Sequence, residues 1–99
     1  AVFLPPVLRF NAEVIVDKMT RLSQYLMLPG QGVEAVIDWV ESLNHALGVT
    51  ENLAALGIDD HKADWIAEQA LVDPSTATNP RALSLADCRA LFLQGVHGA

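Results

Sequence analysis

Val33-Glu34-Ala35-Val36-Ile37-Asp38-Trp39-Val40-Glu41-Ser42-Leu43-Asn44-His45-Ala46-Leu47 repeats its apolar residues every three or four positions. Val33, Val36, Ile37, Val40, Leu43 and Leu47 fall on one stripe of a 3.6-residue helix, while Glu34, Asp38, Glu41 and Ser42 fall off it. Gly48 follows at once, where a helix that ends in a left-handed residue favours glycine. This stretch sets the fold class as all-α.

Working outward, the same period recurs on both sides. Upstream, Pro5 and Pro6 suit the first turn of a helix, where a missing N–H costs nothing. Val7, Phe10, Val14, Ile15, Leu22, Tyr25 and Leu26 continue at helical spacing, as one long helix or as two with a bend near Asn11 and Ala12. Pro29-Gly30-Gln31-Gly32 closes this segment. Downstream, Thr50 is positioned to cap a short helix from Glu51 to Leu56, closed by Gly57. Asp59 or Asp60 is positioned to cap a fourth helix with Ala63, Ile66, Ala67, Ala70 and Leu71 inward. Residues 73–81 read as loop. Ser84 then caps a last helix, with Asp87 completing a capping box, Leu83 and Cys88 at the staple positions, and Gly95 as the expected end. No stretch alternates with period two, so no strand is expected. The reading is a single all-helical domain over residues 1–99, a compact bundle of about four to six helices.

Charge and composition exclude several functions. The net charge is −6, and the six basic residues are scattered. Arg9, Lys18, Arg21, Lys62, Arg81 and Arg89 form no phosphate-binding stripe, so no nucleic-acid partner is expected. No apolar run approaches the roughly 20 residues of a membrane span. The single cysteine, Cys88, allows no internal disulfide and suits a reducing cytoplasm. The apolar fraction of 52% fits a well-filled core or a face that packs on something else. The start, Ala1-Val2-Phe3-Leu4, has no basic region or cleavage pattern of a signal peptide and reads as an edge inside a larger protein.

Candidate chemistry is sparse. His45, His61 and His97 form no ligand motif, and each reads as a surface or packing residue. Cys88 reads as a buried structural thiol, since its staple position faces inward. Gly30-Gln31-Gly32 lacks the preceding strand and third glycine of a dinucleotide loop. Trp39 and Trp65 read as packing residues, and Asp59-Asp60 as a cap. Loop 73–81 differs in being long and rich in small hydroxyl residues, and Asn79 before Pro80 is a suitable cap and first-turn pair.

Three phrases carry a resemblance. Ala1-Val2-Phe3-Leu4-Pro5-Pro6-Val7-Leu8-Arg9-Phe10-Asn11 opens the chain. Leu47-Gly48-Val49-Thr50-Glu51-Asn52-Leu53-Ala54-Ala55-Leu56-Gly57-Ile58 follows. Ala67-Glu68-Gln69-Ala70-Leu71-Val72-Asp73 leads into Thr78-Asn79-Pro80-Arg81 and Leu83-Ser84-Leu85-Ala86-Asp87. In this order and spacing they resemble the C-terminal part of iron-containing alcohol dehydrogenases.

The resemblance implies a parent enzyme that interconverts alcohols and aldehydes or ketones by hydride transfer. It would use NAD or NADP and a divalent metal, iron or sometimes zinc, to polarise the substrate oxygen. The nucleotide-binding half and the metal ligands, one Asp and three His, would lie upstream of Ala1. This chain would then hold no catalytic, cofactor-binding or metal-ligating residue, bind no cofactor, and be inactive alone. Its partner would be that N-terminal half, with self-association in its absence. The resemblance also makes Ser75 and Thr76 lining residues of the substrate cleft, with Asn79 and Arg81 holding their loop. The alternatives are a related enzyme of the superfamily, such as a maleylacetate reductase or glycerol dehydrogenase, and a free-standing helical interaction module.

Overall fold

The computed structural model describes residues 1–49 and 52–98. Pro5 and Pro6 lie in the first turn of α1 (Leu4–Asn11). A 3-10 turn, Ala12–Val14, separates α1 from α2 (Val16–Tyr25), so the upstream apolar positions belong to two helices bent at Asn11 and Ala12. α3 (Gly32–Ala46), α4 (Ala63–Val72) and α5 (Leu85–His97) follow, and no strand occurs among the described residues. The all-α expectation holds.

The ends of α2 and α3 are built alike. At α3, Gly48 takes φ of 73°, its N–H donates to the His45 carbonyl at 3.1 Å, and the Val49 N–H donates to the Asn44 carbonyl at 2.9 Å. This pair of bonds satisfies carbonyls that the helix itself leaves open. At α2 the same two bonds run from Met27 to Gln24 at 3.1 Å and from Leu28 to Ser23 at 3.0 Å. Here the left-handed position holds Met27, φ 53°. Ser23 is almost fully buried. Its hydroxyl donates to the Thr20 carbonyl at 2.7 Å and accepts the Gly32 N–H at 3.1 Å, tying the end of α2 to the start of α3.

Two expected caps are corrected. Neither Asp59 nor Asp60 caps α4, whose N-cap is Lys62 and makes no side-chain bond. The Asp59 carboxylate instead accepts the His61 N–H at 2.9 Å, an Asx turn completed before the helix starts. Nor does Gly95 end α5. The helix runs on to His97, and Gly98, φ 78°, caps it by donating its N–H to Gln94 at 2.7 Å. Gly95 is buried in mid-helix because Phe3 lies against it: a Cβ there would sit 2.3 Å from Phe3 Cε1. His97 is accordingly on the last turn of α5. The Ser84–Asp87 capping box is present as expected, with both reciprocal bonds made. Thr50 and Glu51, the expected start of a short helix, lie outside the described residues. The described part of that segment is a 3-10 turn, Ala54–Leu56, closed by Gly57 at φ 82°.

α2 packs on α3, α4 packs on α5, and α1 touches both α3 and α5, joining the two pairs. Val36, Ile37 and Val40 are the buried face of α3. Ala63, Phe92 and Val96 form the centre between α4 and α5, flanked by Phe3, Leu53, Ile66 and Leu93. The molecule measures 41 × 30 × 19 Å; its thin dimension is about two helix diameters. Such a slab leaves part of each helix uncovered. Trp39, expected to pack, is 42% exposed and Trp65 is 58% exposed. Leu43 and Leu47, on the flank of the α3 stripe, are also exposed. No helix is long and apolar enough to cross a membrane, among the described residues.

Candidate functional site

Loop 73–81 is more regular than its composition suggests. Pro74–Thr78 form a 3-10 turn whose N-cap is Asp73, with the Asp73 carboxylate accepting the Ser75 N–H at 2.8 Å. Proline at the first position and aspartate before it are the sequence signals for this turn. The Thr78 hydroxyl donates to the Ser75 carbonyl at 2.7 Å. The Thr76 hydroxyl donates to the carbonyl of Ala70, which fastens the turn to the last part of α4.

The turn forms one rim of a depression of about 400 Å³. Val7 and Phe10 of α1, Leu83 ahead of α5 and Leu91 within it supply apolar walls. Asp73, Ser75, Thr76 and Asn79 supply the polar rim. The sequence candidates Ser75, Thr76 and Asn79 thus meet at one opening. Their chemistry differs. The Thr76 hydroxyl is committed to Ala70, whereas Ser75 is exposed and its hydroxyl has no partner among the described residues. The site offers a small hydroxyl donor, a carboxylate and an apolar floor. That suits a short, partly polar ligand, and among the described residues no base is hydrogen-bonded to the Ser75 hydroxyl to activate it.

Asn79 does not cap a helix, because no helix starts at Pro80. Its amide turns to α1 instead. Asn11 Nδ2 donates to Asn79 Oδ1 at 2.8 Å, and Asn79 Nδ2 donates to Asn11 Oδ1 at 2.8 Å. Asn79 Nδ2 also donates to the Arg81 carbonyl at 2.6 Å. Arg81 then donates to the Phe10 carbonyl at 2.9 Å, with its guanidinium 4.2 Å from the centroid of the Phe10 ring. The phrase Phe10-Asn11 and the phrase Asn79-Pro80-Arg81, far apart in the chain, are one contact in space. Phe10 and Asn11, expected only as part of the opening helical phrase, thus belong to the site. The available signal was an amide at the end of a mostly apolar helix, which needs a partner when buried.

The remaining candidates lie elsewhere. His45 and His61 are exposed. His97 Nε2 lies 3.2 Å from Asp60 Oδ2, an exposed contact between α5 and the turn before α4. Cys88 is buried. Burial pushes its thiol pKa up, and the neighbouring Asp87 carboxylate pushes the same way, so the thiolate that reactivity requires is disfavoured. Among the described residues no three His, Cys, Asp or Glu side chains converge to hold a metal ion. The described residues therefore form no set of ligands for a catalytic metal by themselves.

Residues 1–96 match the C-terminal portion of the Fe-containing alcohol dehydrogenase family. Over 97% of its length the chain is 34% identical to a 4-hydroxybutyrate dehydrogenase of Cupriavidus necator, covering 26% of that protein. Over 93% of its length it is 28% identical to an NADPH-dependent butanol dehydrogenase of Clostridium saccharobutylicum, again covering 26% of the relative. A lactaldehyde reductase of Escherichia coli (strain K12) is 28% identical over the same share of the chain, also with 26% covered. The chain spans about a quarter of the length of the curated relatives it matches. It belongs to the Fe-containing alcohol dehydrogenase family, of which it represents the C-terminal part.

Proposed function

We propose that these residues are the C-terminal helical portion of an NAD(P)-dependent, metal-dependent alcohol dehydrogenase acting on small alcohols and aldehydes. The family match over residues 1–96 supports this most directly. The relatives are named for butanol, 4-hydroxybutyrate and lactaldehyde, all short molecules with one end to oxidise or reduce. In this reading the nicotinamide cofactor and a divalent metal, iron or zinc, are held by residues outside these 99. This chain supplies one wall of the substrate cleft.

The depression between α1, α4, α5 and the Pro74–Thr78 turn is that wall. Ser75 presents a small hydroxyl to the substrate, and Thr76 fixes the turn. Asn79 and Arg81 hold the loop against α1. The exposed flank of α3, with Trp39, Leu43 and Leu47, packs on the preceding nucleotide-binding part of the polypeptide; alone, the chain self-associates through it. The unpaired Cys88 suits the cytoplasm.

The test is made in the full-length enzyme. Enlarging Ser75 to Leu should change kcat/KM between short and long primary alcohols by roughly 10–200-fold, the range for pocket changes of about a methylene. A flat profile along the alcohol series removes Ser75 from the cleft.

A further inference from the structure

We propose that Asn11 is a positioning residue for the substrate cleft: through its paired amide bonds with Asn79 it sets where the Ser75-bearing turn stands against α1. The inference rests on the cleft reading of Ser75. Asn11 is only 5% exposed and sits at the end of α1, one residue after Phe10, which lines the depression. Asn79 lines the same depression and directly follows the turn that carries Ser75 and Thr76. The two amides are joined by two bonds of 2.8 Å, a planar contact that constrains distance and orientation together. No other side chain bonds Asn11 among the described residues.

The contacts around this pair point the same way. Asn79 donates onward to the Arg81 carbonyl at 2.6 Å, and Arg81 returns to α1 by its 2.9 Å bond to the Phe10 carbonyl. The loop is thus gripped by α1 at both Asn79 and Arg81. At its other end the turn is fastened to α4 by the Thr76 hydroxyl on Ala70. Cutting the Asn11 bonds leaves the α4 attachment and the Arg81 bond to Phe10 in place and loosens the rim at Asn79. The predicted consequence is a wider opening, which a structural role alone would not produce. A small change in the position of a lining group is felt strongly in discrimination between substrates of different length.

The experiment measures, in the full-length enzyme with its cofactors, the ratio of kcat/KM for 1-octanol to that for 1-butanol, beside the melting temperature. Asn11→Ala is expected to raise the ratio by about tenfold, the low end for a methylene-sized change of a pocket. Asn79→Ala should move it in the same direction, and the double variant no further than Asn79→Ala alone, because that single change already cuts both bonds to Asn11. Asn11→Asp keeps the size but sets a carboxylate oxygen against Asn79 Oδ1 and should shift the ratio at least as far as Asn11→Ala; Asn79→Ala decides if the Asn11 variants do not fold. A lowered melting temperature with an unchanged ratio in Asn11→Asp and Asn11→Ala overturns the inference, as do additive effects in the double variant. Ser75→Leu separates the two levels. If it leaves the ratio flat, the cleft reading fails. If it moves the ratio while the Asn11 variants do not, only the positioning role fails.

Discussion

Asn11 and Asn79 exchange two amide hydrogen bonds of 2.8 Å across 68 residues of sequence. The pair is asymmetric in its surroundings. Asn11 is buried, and its amide is spent on Asn79 alone, whereas Asn79 is half-buried and also donates to the Arg81 carbonyl. Leaving a buried polar group unpaired costs about 1–3 kcal/mol. Asn79→Ala strands Asn11 in the interior and should lower unfolding free energy by about that amount. Asn11→Ala leaves Asn79 with Arg81 and access to water, and should cost less. Urea unfolding of both variants checks the order, and the reverse order would show that Asn11 is not the more enclosed partner.

Gly95 should resist replacement. In an ordinary helix interior Gly→Ala gains about 1 kcal/mol from propensity. Here the added methyl meets the Phe3 ring at 2.3 to 2.9 Å, on three of its carbons. Overpacking of a core costs about 1–3 kcal/mol, so Gly95→Ala should be net destabilising. Phe3→Leu alone should also destabilise, but the two together should couple favourably. A melting temperature that rises in Gly95→Ala would mean that Phe3 has free space to move into.

The helices, the α3 stripe and the Ser84–Asp87 box were legible because each depends on neighbours within about four residues; the bend after α1 was one of two readings the apolar spacing left open. Gly95 was misread for the opposite reason. A glycine near a helix end resembles a stop signal, and only the approach of Phe3 from the far end of the chain explains it. Asp59 and Asp60 were misread because an aspartate before a helix suits both a cap and an Asx turn, and local sequence does not choose. Trp39 and Trp65 looked like core because periodicity gives a face but not how far the neighbouring helix reaches across it. The small residues of loop 73–81 were visible. The partner of Asn79 was not, since pairing with Asn11 is a property of the tertiary fold.

Met27 occupies the left-handed position that Gly48 fills at the equivalent end of α3. A non-glycine residue there is strained by roughly 1–2 kcal/mol, and the Met27 side chain, 87% exposed, recovers little by packing. Met27→Gly should therefore stabilise the chain by a few tenths to about 1 kcal/mol, after the greater flexibility of glycine in the unfolded chain is subtracted. Gly48→Ala should do the reverse. Thermal unfolding of the two variants gives opposite signs if the shared end geometry is right; equal signs would not fit it.

Cys88 should be slow to react. Its thiol is buried, with its pKa raised by that burial and by Asp87. At neutral pH a thiol-specific reagent should label native protein far more slowly than urea-unfolded protein. Rapid labelling of the folded chain would mean that α5 opens locally on the timescale of the assay.

The Ser84–Asp87 box predicts a pH dependence with a definite sign. The Asp87 carboxylate accepts the Ser84 N–H at 3.0 Å, and the Ser84 hydroxyl accepts the Asp87 N–H at 3.1 Å. The backbone bond from Ser84 is the main cause holding Asp87 below the ordinary carboxylate pKa, followed by the Ser84 side chain; Arg81 adds a smaller pull, and partial desolvation opposes them. A carboxylate depressed in the folded state releases its proton more readily there than in the unfolded chain. Its contribution is therefore fully present above the unfolded aspartate pKa of roughly 4 and is lost as pH falls through the lower, folded value. Asp87→Ala should lie below the parent in stability at neutral pH, and the gap should close on acidification through that window. Urea unfolding of both proteins across the acid range measures it. A gap that is constant with pH would assign the loss to helix propensity or packing at position 87 and not to the charge at the head of α5.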